Sequence, residues 1–201
     1  MFGRYGVALS AELCRTTKGM FVGEVARHWY ARHRWTGPGP DEVAAEIVDT
    51  MAVLLAEEAA LLPGVHHALE FCRARVPGLA VASSSPARLI DVVLRRFELT
   101  GWFDVVHSAE HEPAGKPDPA VFLSTAELLG VDPGRCVVFE DSPAGVASAA
   151  AAAMRCVAVP ERRAAYEAGV FDAADVVLAS LEELDLEVWQ VLEARVATSS
   201  G

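Results

Sequence analysis

Two acidic residues, Glu140 and Asp141, follow directly on Val137-Val138-Phe139 in the stretch VVFEDSPAG. Three consecutive apolar residues of high strand propensity read as a buried strand, so two carboxylates stand at the tip of an apolar element. An unpaired charge there is costly. The acids therefore need a partner, and a metal ion, a lysine and water are the three open to them. Mg2+ is held by one or two carboxylates, with waters and phosphate oxygens completing its shell, which is what this tip offers. The plainer alternative is that one acid caps the helix that follows.

Two other groups have types suited to the same chemistry. Ser83-Ser84-Ser85 ends the apolar segment GLAVAS, and Lys116 lies in AGKPDPAVF. Ser85-Pro86 and Ser142-Pro143 share one pattern, a serine suited to an N-cap and a proline suited to the first helical position. Both strands are expected to pass straight into helices whose free N–H groups and positive dipole end favour an anion such as phosphate. The serine hydroxyls would add hydrogen bonds to it, although serines serve equally as caps and turn residues alone. Lys116 is the sole lysine after Lys18; every later cation is otherwise arginine. A compact ammonium can bridge a phosphate and a carboxylate, and an exposed loop lysine is the alternative. Gly115-Lys116 lacks the upstream glycine and the following Ser/Thr of a phosphate-binding loop.

The elements that must position these residues change character along the chain. Residues 1–60 read as helical, with Glu24–Arg34 and Asp41–Leu62 carrying apolar residues at helical spacing and Thr36-Gly37-Pro38-Gly39-Pro40 between them. Leu62-Pro63-Gly64-Val65 marks a boundary, giving a helical unit over 1–62 and a second unit over 63–201. In the second unit strands alternate with helices: strands at Gly78–Ser83, Phe103–Ser108, Cys136–Glu140, Arg155–Pro160 and Asp175–Leu178, helices at Pro86–Phe97, Pro119–Leu129 and Pro143–Met154. Near-continuous apolar strands separated by helices predict an α/β fold with a doubly wound parallel sheet covered on both faces. Ligands of such sheets bind beyond the carboxyl ends of the strands, where Ser83, Glu140 and Asp141 stand.

A formal net charge of −11 argues against a nucleic-acid partner but leaves room for a small anion at a locally positive site. No apolar run reaches the roughly 18–20 residues of a membrane span, and MFGRYGVALS lacks the layout of a secretion signal. Cys14, Cys72, Cys136 and Cys156 form no C-x-x-C pair and lie in apolar segments, which reads as buried free thiols in a reducing cytoplasm. His66-His67 reads as surface, His107 and His111 around Glu110 as loop, and Trp29, Tyr30 and Trp35 as core of the helical part.

The order strand–Ser83, then Lys116 in GKPDP, then FEDSPAG at 139–145 resembles the haloacid-dehalogenase-like (HAD) superfamily, in the branch of β-phosphoglucomutase and the small sugar-phosphate phosphatases. WYARHRWTGP at 29–38 and LLPGV at 61–65 resemble its hexitol-phosphate and 2-deoxyglucose-6-phosphate phosphatases. The resemblance implies a Rossmann-like core under a small helical cap, Mg2+ as cofactor, and a small phosphorylated sugar or polyol as substrate. It implies that the Ser83 hydroxyl and the Ser84 backbone N–H hold the transferring phosphoryl group and that Lys116 neutralises it. It implies that Asp141 binds the metal, with Glu140 as ligand or support. The metal-free 2-haloacid dehalogenases lack the paired acids. Lys18-Gly19 matches the cap turn that meets substrate; no cation follows it in Met20-Phe21-Val22-Gly23, which favours a phosphatase over a sugar-phosphate mutase. A cytoplasmic monomer or weak homodimer is expected.

The resemblance also implies a first strand carrying DxDG, with an attacking aspartate and a second aspartate as acid/base, and no segment of this chain matches it. The opening Met1–Val7 resembles the middle of the first cap helix, about 25–30 residues further along than a typical strand and helix would place it. The absent strand is the central one, so 78–83 and 136–140 are expected to lose pairing along their inner edges. A mis-assigned start codon in a GC-rich gene, a gene fragment, or an inactive phosphate-binding or regulatory homologue would each account for the sequence.

Overall fold

The computed structural model describes residues 2–17, 20–160 and 167–198. Its N-terminal part is a helical layer: α1 (Ala11–Arg15), α2 (Val22–His33) and α3 (Pro40–Glu58). Local chemistry fixes these boundaries. The Glu24 carboxylate reaches back to the Phe21 N–H at 3.2 Å and Glu42 to the Gly39 N–H at 2.8 Å, each satisfying a first-turn donor, and Pro40 opens α3. The layer has its own apolar centre of Val7, Trp29, Trp35 and Val43, with Phe2, Tyr5 and Tyr30 against it. Trp29 and Trp35 are core, as expected, whereas Tyr30 is only half-buried and packs against them. Residues 1–60 are less uniformly helical than expected. Phe2–Tyr5 is a single 3-10 turn and residues 7–10 are not helical, so Val7 packs from an irregular segment; Gly6, at φ 74°, breaks the helix.

From Val65 the chain alternates α4 (Val65–Arg73), β1 (Ala80–Ser83), α5 (Ala87–Arg96), β2 (Val105–Ser108), α6 (Ala120–Leu129), β3 (Val137–Glu140), α7 (Pro143–Ala151), β4 (Arg155–Ala158) and β5 (Val176–Val177), ending in α8 (Leu186–Thr198). All strand pairs are parallel. One face is covered by α6 and α7, through Val121, Phe122, Val146 and Ala149 on Val138 and Cys156. The other is covered by α4 and α8, through Ala68, Cys72, Trp189 and Leu192 on Val157 and Leu178. Burial on both faces is why these strands read as unbroken apolar runs. Helix α8 was not expected, although Val188, Trp189 and Leu192 recur at helical spacing.

The strands form two separate sheets, β1-β2 and β3-β4-β5. Alternate residues of a strand point their N–H and C=O groups to opposite neighbours. Leu79 C=O accepts from Asp104 N–H, and Cys136 and Glu140 C=O accept from Arg155 and Val159 N–H. Ala80 and Ala82 of β1, and Val137 and Phe139 of β3, therefore turn their backbone groups away from their partner strands, towards the slot between the sheets. No strand among the described residues pairs with either edge.

Helices α3 and α5 join the helical layer to the α/β part. Arg96 of α5 donates to the C=O groups of Ala56, Glu57 and Ala59 at the end of α3, where a cation complements the helix C-terminus. Arg88 of α5 pairs with Asp49 of α3.

Candidate active site

The tips of β1 and β3 and the loop after β2 meet at one cavity of about 870 Å3. Its floor includes Ser83, Ser84, Ser85, Lys116, Glu140, Asp141 and Ser142, and its roof includes Met20, Val22, Val25, Ile47 and Met51 from the helical layer. Apart from Lys18 and Gly19, which lie outside the described residues, every residue singled out for phosphate or metal chemistry lines this cavity. The floor is polar and charged, the described roof apolar.

The two Ser-Pro tips differ. Ser142 is the N-cap of α7, its Oγ accepting from the Gly145 N–H at 3.1 Å, with Pro143 opening the helix as the pattern predicts. Ser85 is not the corresponding cap: Pro86 stands at the N-cap of α5, and the Ala87 N–H is taken by the Glu110 carboxylate at 2.9 Å. The C=O of Ser85 accepts instead from Ser108 Oγ at 2.8 Å. A distant acid displaced the local serine from the cap role. The Ser83 Oγ accepts from the Ser85 N–H at 3.1 Å, a tight turn that holds the serines at the strand tip. The Ser84 Oγ is buried and has no hydrogen-bond partner among the described residues; natural proteins rarely leave such a group unmet.

Among the described residues, Lys116 is the cation that partners Glu140. The two side chains, 9% and 8% exposed, form an ion pair. Lys116 Nζ also donates to the Ala82 C=O at 3.3 Å, a group turned into the slot, and lies 4.6 Å from the centre of the Phe122 ring. Ser142 Oγ donates to the second Glu140 oxygen at 3.2 Å, and the carboxylate packs against the bare Cα of Gly145. The Lys116 reading as a loop cation in solvent is thereby excluded.

The loop carrying Lys116 is itself anchored from beneath. His107, at the end of β2, donates from Nε2 to Glu112 Oε1 at 2.6 Å, with both side chains largely buried. This hydrogen bond, reinforced by one from Ser124, holds the Glu112 carboxyl below its ordinary range. His107 is thus a strand residue with a buried partner, not the loop histidine expected. Its signal was weak: an isolated histidine in FDVVHS gives no hint of an acid five residues on.

Whether these residues fit a divalent cation follows from the donor set. Among the described residues no three His, Cys, Asp or Glu side chains group as a ready cage, which rules out a closed structural zinc site there. Glu140 and Asp141 supply two carboxylates at the cavity wall, the set for a hard cation that keeps waters and shares phosphate oxygens. The cysteines hold no site: Cys72 and Cys156 are buried, Cys136 is half-buried, and Cys14 is exposed, contrary to its expected burial, because α1 is a short surface helix. No helix among the described residues is long and apolar enough to cross a membrane.

The fold is that of solved β-phosphoglucomutase-like structures. The enzyme from Clostridium difficile, 21% identical, superposes with a TM-score of 0.83 over 97% of this chain and 87% of its own. In sequence, hexitol phosphatase B of Escherichia coli K12 is 40% identical over 168 residues, 84% of this chain and 75% of the relative. Validoxylamine A 7'-phosphate phosphatase of Streptomyces hygroscopicus subsp. limoneus is 30% identical over 187 residues, 92% and 84% of the two chains. The profile of haloacid dehalogenase-like hydrolases matches residues 7–153. With the parallel sheets, the strand-tip serines, Lys116 and the paired acids in one cavity, these matches show that the chain belongs to the haloacid dehalogenase-like hydrolase family.

Proposed function

We propose that this protein is a Mg2+-dependent phosphatase of small sugar or polyol phosphates. One observation carries the reading: three separate segments bring Ser83-Ser84, Lys116 and Glu140-Asp141 to one cavity wall. The phosphatases named above supply the substrate class by likeness.

In this reading the Ser83 hydroxyl and the Ser84 N–H bind the phosphoryl oxygens, and the orphan Ser84 Oγ is satisfied there. Lys116 neutralises phosphate charge within a partly dry site, where fixed charges act most strongly. Asp141, with Glu140, holds Mg2+, which when bound supplies further neutralisation of phosphoryl charge. The helical layer serves as the cap over residues 63–201, and its apolar roof shields the reacting groups from bulk water. Glu140 and Asp141 are the only carboxylates among the described cavity-lining residues. The family resemblance implies a further, attacking carboxylate, which in this reading would enter the slot between β1 and β3. A mutase must grip a second phosphate beneath the roof, and the apolar Met20, Val22, Val25, Ile47 and Met51 do not favour one. The protein acts in the cytoplasm as a monomer or weak homodimer.

The deciding experiment is hydrolysis of p-nitrophenyl phosphate and of hexose and hexitol phosphates, with Mg2+ and with EDTA. It is run on the 201-residue chain and on one extended upstream in frame. Mg2+-dependent hydrolysis confined to the extended protein supports the reading. Hydrolysis by neither moves the function to phosphate binding. Equal hydrolysis by both refutes the slot as the seat of the nucleophile.

A further inference from the structure

We infer that the Lys116–Glu140 pair makes anion and divalent-cation binding at this site mutually dependent, a coupling that rests on the phosphate and metal roles proposed above. An ammonium has three donors. Lys116 directs them among Glu140, the Ala82 C=O and the Phe122 face. Glu140 is held as firmly, by Lys116, by Ser142 Oγ and by its seat on Gly145. Both side chains are over nine-tenths buried.

An anion at Ser83-Ser84 that draws Lys116 from Glu140 leaves a buried carboxylate without its cation. A cation at Asp141 that draws Glu140 from Lys116 leaves a buried ammonium without its anion. Stranding one charge of a buried pair is strongly unfavourable. When Glu140 turns to a cation and Lys116 to an anion together, neither charge is stranded. Each ion therefore strengthens binding of the other, by the same factor in both directions, within the roughly 5- to 150-fold typical of such coupling.

Direct contact between the two ions would also couple them, and Glu140→Gln separates the two causes. Inorganic phosphate is titrated calorimetrically into the full chain in EDTA and in saturating MgCl2. In the original protein Mg2+ should tighten phosphate binding at least about fivefold. In Glu140→Gln, Lys116 is released beforehand, so phosphate should bind more tightly in EDTA than it does to the original protein, and the Mg2+ effect should shrink. Phosphate binding in EDTA no tighter than the original, or an undiminished Mg2+ effect, overturns the coupling. Saturable phosphate binding in neither protein, with or without Mg2+, refutes the phosphate site itself and the coupling with it.

A second measurement needs no variant. Lys18 and Lys116 are the only lysines, so lysine-specific 15N labelling reports the pair by NMR. The Lys116 ammonium resonance should move fully only when phosphate and Mg2+ are both present. A complete shift with phosphate alone overturns the proposal.

Discussion

The carboxylate of Glu140 occupies the space that a side chain at residue 145 would need: a Cβ built on Gly145 would overlap it. The strand-tip acid and the first turn of α7 are thus fitted to each other. The glycine is required by close approach, since its φ is not positive. Gly→Ala inside a helix ordinarily stabilises by about 0.5–1 kcal/mol. Here Gly145→Ala should instead destabilise by about 1–3 kcal/mol through overpacking and push Glu140 off Lys116. Urea denaturation reads the sign directly, and a stabilised variant would show that Glu140 does not lie there.

Ser84 should separate stability from binding. Its buried Oγ has no partner among the described residues. Ser84→Ala should raise stability in phosphate-free buffer, on the order of 1 kcal/mol, while weakening phosphate affinity. Thermal melting and calorimetric titration of one variant test both halves. Loss of stability with unchanged affinity would assign the hydroxyl a structural role.

Glu112 makes a prediction about acid. Its carboxyl is held below the usual 4.5, chiefly by the hydrogen bond from His107. A depressed carboxyl contributes stability that is fully present above its unfolded value and is lost as pH falls through the lower, folded value. Stability from this group should therefore be constant above about pH 5 and decline below the ordinary carboxylate range. Glu112→Gln should flatten that part of the decline. Denaturation midpoints across acid pH check it, and an unchanged acid slope in the variant would deny the pair any linkage to folding.

The cysteines should react in order of exposure. Cys14 is exposed. Desolvation pushes the Cys72 thiol up to about 11 and the Cys156 thiol up to about 12, and burial raises Cys136 as well. Since the thiolate is the reactive form, iodoacetamide near neutral pH should label Cys14 first and leave Cys72 and Cys156 unmodified until denaturant is added. Mass spectrometry of tryptic peptides gives the order. Early labelling of Cys156 would contradict its place between the sheet and α7.

The sequence by itself determined what depends on near neighbours in the chain. Val137-Val138-Phe139 had to be a strand, Ser142-Pro143 had to open a helix, and the apolar strands between helices had to pair in parallel; of the three strand residues only Val138 is buried. Lys116 and Glu140-Asp141 could be singled out because each type is unusual where it stands, and Ser83 by the order in which it precedes them. Only the tertiary structure decided who meets whom. Glu140 takes Lys116, twenty-four residues away, because the loop after β2 folds back beside β3. Ser85 loses the cap of α5 because Glu110, from the other side of β2, reaches the Ala87 N–H first. The division of the strands into two sheets is likewise a matter of which edges come together in space. Caps and apolar periods are short-range and are written locally, whereas a buried charge pair is fixed by the packing that removes water from around both partners.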